Sequence, residues 1–260
     1  MKQLLLLVFI IVAFNSSSQN FTSYFTGNTQ DALVAPKGGI CLMGGASEHE
    51  NAMKWFLTQA NGGDVLVLRA SGSNGYNDYF YSQLGIPINS VETVVCLNES
   101  SGEDAAIIEK INKAEAIWFA GGNQWNYVNF WRNTGVNYAL NQAIARNCVM
   151  GGTSAGMAIL GGHYFTAENG TVSSNVALTN PYNTLVSVSN EPFLSLPYLN
   201  DVITDTHYDN PDRRGRHAAF IAKQTQETQH PIYGIACEEY VAVCLDTFGI
   251  AKVYGEYPLY

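Results

Sequence analysis

The chain has 260 residues, with 13 Lys and Arg against 22 Asp and Glu, and a formal net charge of −9. That sign argues against nucleic acid and anionic membranes as partners, because both repel it. Charged residues are only 13% of the chain and hydrophobic residues 47%, which suits a packed globule rather than a disordered segment.

Met1-Lys2-Gln3 leads into a largely apolar run from Leu4 to Phe14, followed by the polar stretch Asn15 to Gln19. A short basic start, an apolar core and a small polar exit form the pattern of a secretory signal peptide. The run is too short to span a bilayer comfortably. Residues 1–19 are therefore set apart from the fold, and a secreted or periplasmic location is expected. Residues 20–37 carry Asn, Thr, Gly and Gln and read as a loose leader. Residues 38–260 suit a single catalytic-sized domain.

The first expected strand is Gly39–Met43, closing on Gly44-Gly45. Ser47-Glu48-His49-Glu50 matches a capping box ahead of Met53, Phe56, Leu57 and Ala60 at helical spacing. Asp64 to Ala70 is a continuous apolar strand, and Tyr76 to Leu84 an aromatic helix. Ser90 to Leu97 is another strand. Ser101 to Asp104 matches a second capping box, with Ile107, Ile108 and Ile111 on the apolar face of its helix. Ala114 to Ala120 ends in Gly121-Gly122, and a long helical region runs from Gln124 to Arg146. A strand from Cys148 then enters Gly152-Thr153-Ser154-Ala155-Gly156. Beyond it, Val202 to Thr206 is a short strand, Arg214 to Gln226 a helix, and Ile232 to Tyr254 antiparallel strands.

Apolar strands alternating with amphipathic helices predict an α/β fold with a mostly parallel sheet covered on both faces. Ligands bind such sheets beyond the carboxyl ends of the strands. The pairs Gly44-Gly45, Gly121-Gly122 and Gly151-Gly152 lie at or just after strand ends and are expected to meet at one crevice.

Gly152 to Gly156 has the G-x-S-x-G form of a nucleophile elbow. The small residues let Ser154 occupy a tight, strained turn with its hydroxyl exposed, and leave the Ala155 N–H at a helix start to stabilise an oxyanion. A serine needs a base. Of His49, His163, His207, His217 and His230, the favoured one is His207, at the end of a short strand downstream of the serine. Arg213, Arg214 and Arg216 cluster at a helix start, where positive charge is mildly unfavourable unless an anion is to be bound. Cys41, Cys96 and Cys148 sit in strand runs as small hydrophobes. Cys237 and Cys244 flank an expected hairpin and could pair. There is no C-x-x-C, the cysteine spacings suit no metal, and neither metal nor cofactor is expected.

Three segments together resemble the serine peptidase family of cyanophycinases and aspartyl dipeptidases (peptidase family S51): Ala120-Gly-Gly-Asn-Gln124, Gly152-Thr-Ser-Ala-Gly156, and Asp205-Thr-His-Tyr208 with Arg213-x-Gly-Arg216. Export and the G-T-S-A-G form favour the cyanophycinase branch. The resemblance implies a flavodoxin-like three-layer sandwich related to class I glutamine amidotransferase domains, with antiparallel strands at the C-terminal end. It implies Ser154 as nucleophile and His207 as base. The N–H groups of Gly122 and Ala155 would form the oxyanion hole, and Gln124, Asp205, Arg213 and Arg216 would be substrate-binding positions. For the third triad residue, an acid between serine and histidine, Glu168 is the choice and Glu191 the alternative. The implied substrate is cyanophycin, released as β-Asp-Arg dipeptides. An α-aspartyl dipeptidase and a non-catalytic binding protein remain as alternatives, and a homodimer stays open. Thr206 departs from the family's glutamine, and Pro211 falls where a binding arginine is expected.

Overall fold

A computed structural model describes residues 19–189 and 191–260. The signal-peptide reading lies outside these residues. Five short apolar runs become parallel strands: β2 (Ile40–Met43), β3 (Asp64–Arg69), β4 (Ser90–Cys96), β5 (Ala116–Phe119) and β6 (Val149–Thr153). The edge strand β1 (Phe21–Gly27) pairs antiparallel with β4. At the other side β11 (Ala242–Leu245) and β12 (Ala251–Tyr254) close the sheet antiparallel, giving the order β1-β4-β3-β5-β6-β2-β11-β12.

The alternation of side chains along each strand sorts them into two cores. Leu42, Leu66, Ile117, Phe119 and Met150 face the helices α3 (Ala105–Lys113), α4 (Gln124–Trp131) and α5 (Gly135–Ala145). Cys41, Met43, Val65, Val67, Trp118 and Val149 face α1 (Glu50–Gln59) and the helical segment that begins with α2 (Gly75–Asp78). The result is a three-layer sandwich around a mostly parallel sheet, as the alternating pattern predicts.

A smaller lobe follows the serine turn. It holds α6 (Ala155–Ala158), the pair β7 (Tyr164–Phe165) and β8 (Val188–Ser189), and α7 (Ser174–Thr179) against α8 (Arg214–Thr228). In this lobe β9 (Val202–Asp205) and β10 (Tyr233–Ala236) run parallel, over a core that includes Phe165, Ile203 and Phe220. No helix among the described residues is long and apolar enough to cross a membrane.

Several local expectations are corrected. Residues 21–27 of the supposed leader form β1: Phe21, Thr22, Tyr24, Phe25 and Thr26 are good strand formers, and one edge of β4 was open to receive them. Neither capping box forms. His49 is the N-cap of α1 without a side-chain bond, while Asp104 itself caps α3 by accepting the Ala106 N–H at 3.0 Å. The long helical region breaks at Arg132–Thr134, where Asn133 takes a positive φ and Thr134 caps a second helix. β10 is parallel to β9 rather than part of an antiparallel hairpin. All five cysteines are free. Cys237 points at the Leu42 carbonyl, whereas Cys244 lies across β2 and β11 from Cys41, sulfur to sulfur at 3.5 Å.

Candidate active site

The neighbours β5, β6 and β2 carry the three glycine pairs, so these do converge at the carboxyl edge of the sheet. Ser154 follows β6 directly, with φ 51° and ψ −118°, a conformation that side chains other than glycine rarely adopt. The turn holds because its neighbours are small. A Cβ on Gly152 would come within 2.5 Å of the Gly156 backbone, and one on Gly156 within 2.0 Å of the Phe119 carbonyl oxygen. The Ser154 N–H is held by the Met43 carbonyl at 3.0 Å. Ala155 opens α6, so its own N–H has no acceptor within that helix.

His207 follows β9 and also has a positive φ, 48°. Its N–H donates to the Gly44 carbonyl at 3.0 Å, and its ring lies directly over Gly45, where an added Cβ would stand 2.4 Å from the imidazole. The Gly44-Gly45 pair is thus a seat for the histidine. His207 Nε2 is 2.8 Å from Ser154 Oγ, and its Nδ1 is 2.7 Å from Glu239 Oε1. Histidine and glutamate are both partly exposed at the mouth of the site.

The carboxylate on the histidine therefore comes from Glu239, not from Glu168 or Glu191. Both of those are exposed, and neither bonds to His207. Glu239 reaches the ring because β10 is parallel to β9, so the segments leaving the two strands emerge side by side. Its neighbour Glu238 is buried and accepts the Asp209 and Glu239 N–H groups, tying the loop after His207 to the glutamate turn. The Glu238-Glu239 pair lies two residues past the end of β10, inside a run that the sequence reads as continuous strand.

A cleft of about 350 Å³ opens beside Ser154 and His207 and is lined by Gly122, Gln124, Thr206, Arg213 and Arg216 among others. A hollow of about 360 Å³ elsewhere, beside Asp64, Glu92 and Lys110, holds neither the serine nor the histidine. Gly122 follows β5 with φ +146°, and the adjacent Gly121 packs toward the Ser154 Cβ. Gln124 donates its amide to the Phe165 carbonyl at 3.3 Å.

The two arginines differ. Arg216 is 3% exposed and grips Asp205, also 3% exposed, through Nε to Oδ2 at 2.8 Å and NH2 to Oδ1 at 2.5 Å. It also lies over the Phe165 ring at 5.1 Å. The expected substrate-binding charges of Asp205 and Arg216 are committed to each other. They lock the end of β9 to α8. Arg213 has no carboxylate partner among the described residues. One amino group donates to the Thr206 carbonyl at 3.1 Å, and its buried Nε meets no acceptor. Burial and then the neighbouring Arg216 lower its pKa, yet a guanidinium stays charged in a protein. It is the cation in this cleft placed to receive a carboxylate.

The model of peptidase family S51 matches residues 41–250. Cyanophycinases of Synechococcus elongatus and of Thermosynechococcus vestitus are each 25% identical over 231 residues, covering 84% of this chain and 66% of theirs. The chain thus spans just under two thirds of the length of these curated relatives. A cyanophycinase of Geminocystis herdmanii is 29% identical over 116 residues, which is 44% of this chain and 39% of that one. Among solved structures, a peptidase from an acI-B1 actinobacterium superposes with TM-score 0.60 at 14% identity, over 86% of this chain and 90% of that one. A putative peptidase E protein from Listeria monocytogenes superposes with TM-score 0.52 at 17% identity, over 85% and 99%. These two likenesses bear on the fold and agree with the three-layer sandwich. With the match covering most of its length, the chain belongs to peptidase family S51.

Proposed function

We propose that this chain is an exported serine-type peptidase that cleaves the aspartyl peptide bonds of the cyanophycin backbone, leaving each β-linked arginine in place, so that β-Asp-Arg is the product. The observation that carries this reading is the continuous hydrogen-bond chain from Ser154 through His207 to Glu239. His207 takes the Ser154 proton as the hydroxyl oxygen attacks the scissile carbonyl. Glu239 holds the ring with Nδ1–H toward itself and stabilises the imidazolium that forms. The N–H groups of Gly122 and Ala155 receive the charge that develops on the carbonyl oxygen. His207 then gives its proton to the leaving amine, and an acyl group remains on Ser154. Water activated by the same histidine releases the acid and restores the serine.

Arg213 binds the free aspartyl carboxylate of the substrate, and Gln124 lines the same wall. The acidic balance of the chain suits a substrate rich in arginine. Export rests on the pattern of residues 1–19. A second reading, an α-aspartyl dipeptidase, draws on a specific feature. With Arg216 tied to Asp205, the cleft offers one guanidinium without a carboxylate partner among the described residues, enough for the single carboxylate of a small substrate.

The experiment incubates the protein with cyanophycin and, separately, with an α-aspartyl dipeptide, following released primary amine. Release of β-Asp-Arg from the polymer supports the first reading, and cleavage of the dipeptide alone supports the second. Inertness toward both overturns the aspartyl specificity.

A further inference from the structure

A second cluster of functional side chains lies at the opposite end of β9 from the catalytic histidine. His163 comes from the connection between α6 and β7, Asp201 immediately precedes β9, and His230 lies between α8 and β10. The parallel bridge between His163 and Ile203, and the bond from the Tyr233 N–H to the Asp201 carbonyl at 2.8 Å, bring the three connections together. One ligand atom from each residue lies within 4.8 Å of the other two.

The hydrogen bonds around the cluster fix where the His163 proton sits. Gln224 is fully buried and donates its amide to Glu227 Oε2 at 3.1 Å, an oxygen that accepts. Its carbonyl oxygen must therefore be the atom 2.9 Å from His163 Nδ1. That oxygen accepts as well, so the His163 proton is on Nδ1 and Nε2 carries a lone pair. Both ring nitrogens of His230 face acceptor oxygens. Its Nδ1 is 3.2 Å from the Thr228 carbonyl oxygen, while Nε2 is 3.0 Å from Asp201 Oδ1. A neutral imidazole with its proton on Nδ1 turns a lone pair toward a carboxylate oxygen. A proton or a metal cation at Nε2 satisfies that contact.

Histidines whose outer nitrogen is held by a carbonyl, with the inner nitrogen free, are oriented as metal ligands. Two imidazoles and a carboxylate select a borderline divalent transition ion over calcium or magnesium. We propose that His163, Asp201 and His230 bind such an ion, of the Zn²⁺ class, with solvent completing its coordination. Tetrahedral ligands at about 2.0–2.1 Å from zinc stand about 3.4 Å apart. Asp201 and His230 are exposed and can close that distance. The ion would clasp the α8–β10 turn to the start of β9. It shares no ligand with the Ser154 site.

The test titrates Zn²⁺ into chelator-treated protein by calorimetry and records thermal melts. One equivalent should bind, and Tm should rise by roughly 5 °C or more at about a hundredfold excess over Kd. His230→Ala and Asp201→Ala should each weaken binding at least tenfold, while peptidase activity and the metal-free melt stay as in the parent. His163→Gln should behave alike, and if it fails to fold the two exposed variants still decide. Absence of binding overturns the proposal. So does binding that survives His230→Ala and Asp201→Ala but is lost in His207→Ala, which would place the ion at the catalytic residues.

Discussion

His207 Nδ1 lies 2.7 Å from Oε1 of Glu239, a residue that follows it by 32 positions in the chain. A carboxylate there holds the imidazole in the one tautomer that can take a proton from Ser154. Glu239→Gln keeps the shape and loses the charge. It should lower kcat by about 10²- to 10⁴-fold with little change in KM. Glu168→Gln and Glu191→Gln should leave both constants near those of the parent. Steady-state kinetics on the three variants checks the assignment.

Arg213 and Arg216 should separate cleanly. Arg213→Ala removes a guanidinium that has no carboxylate partner among the described residues, so KM for an aspartyl substrate should rise about tenfold or more while Ser154 remains reactive toward a small probe. Arg216→Ala leaves Asp205 buried without its partner. It should cost roughly 3–5 kcal/mol of stability, read by denaturant unfolding. A purely kinetic effect of Arg216→Ala would contradict the Asp205–Arg216 lock.

Gly45 supports His207 from below. Gly45→Ala would place a Cβ 2.4 Å from the imidazole at a backbone φ of +127°. The ring must move off Ser154, so kcat should fall about 10²-fold while the overall fold persists. Circular dichroism beside the kinetic assay distinguishes this outcome from unfolding.

Glu115 gives the protein a pH-dependent stability distant from the site. Burial, reinforced by the nearby Asp64 charge, lifts its carboxyl from 4.5 to about 7, although the Asp64 N–H bond and Arg146 pull the other way. The unfolded chain ionises first. The contribution is therefore fully present below the unfolded value and is lost as pH rises through about 7. Urea unfolding at pH 5 and pH 7.5 should show the parent losing stability relative to Glu115→Gln, on the order of 1 kcal/mol after solvent screening. An identical pH response in both proteins would remove Glu115 from the account.

The parallel strands and the serine turn were legible because burial on both faces demands apolar runs, and the elbow admits only small neighbours at Gly152 and Gly156. Glu239 was not legible. It sits past Cys237 in a run that reads as one strand, and the turn there becomes visible only through the positive φ of Tyr240. Its place beside His207 depends on β10 pairing parallel to β9, a long-range choice that local pattern does not record. The commitment of Arg216 to Asp205 was hidden for the same reason, since residues eleven apart meet only once α8 packs on β9. The edge strand β1 was masked by polar residues that an exposed edge tolerates.

The most direct measurement is covalent labelling with a serine-directed fluorophosphonate, followed by peptide mapping of the parent, Ser154→Ala and His207→Ala. The account predicts a single adduct on Ser154, none in Ser154→Ala, and labelling slowed by orders of magnitude in His207→Ala. Equal labelling of Ser154→Ala, or full turnover of an aspartyl substrate by that variant, would contradict a nucleophilic Ser154.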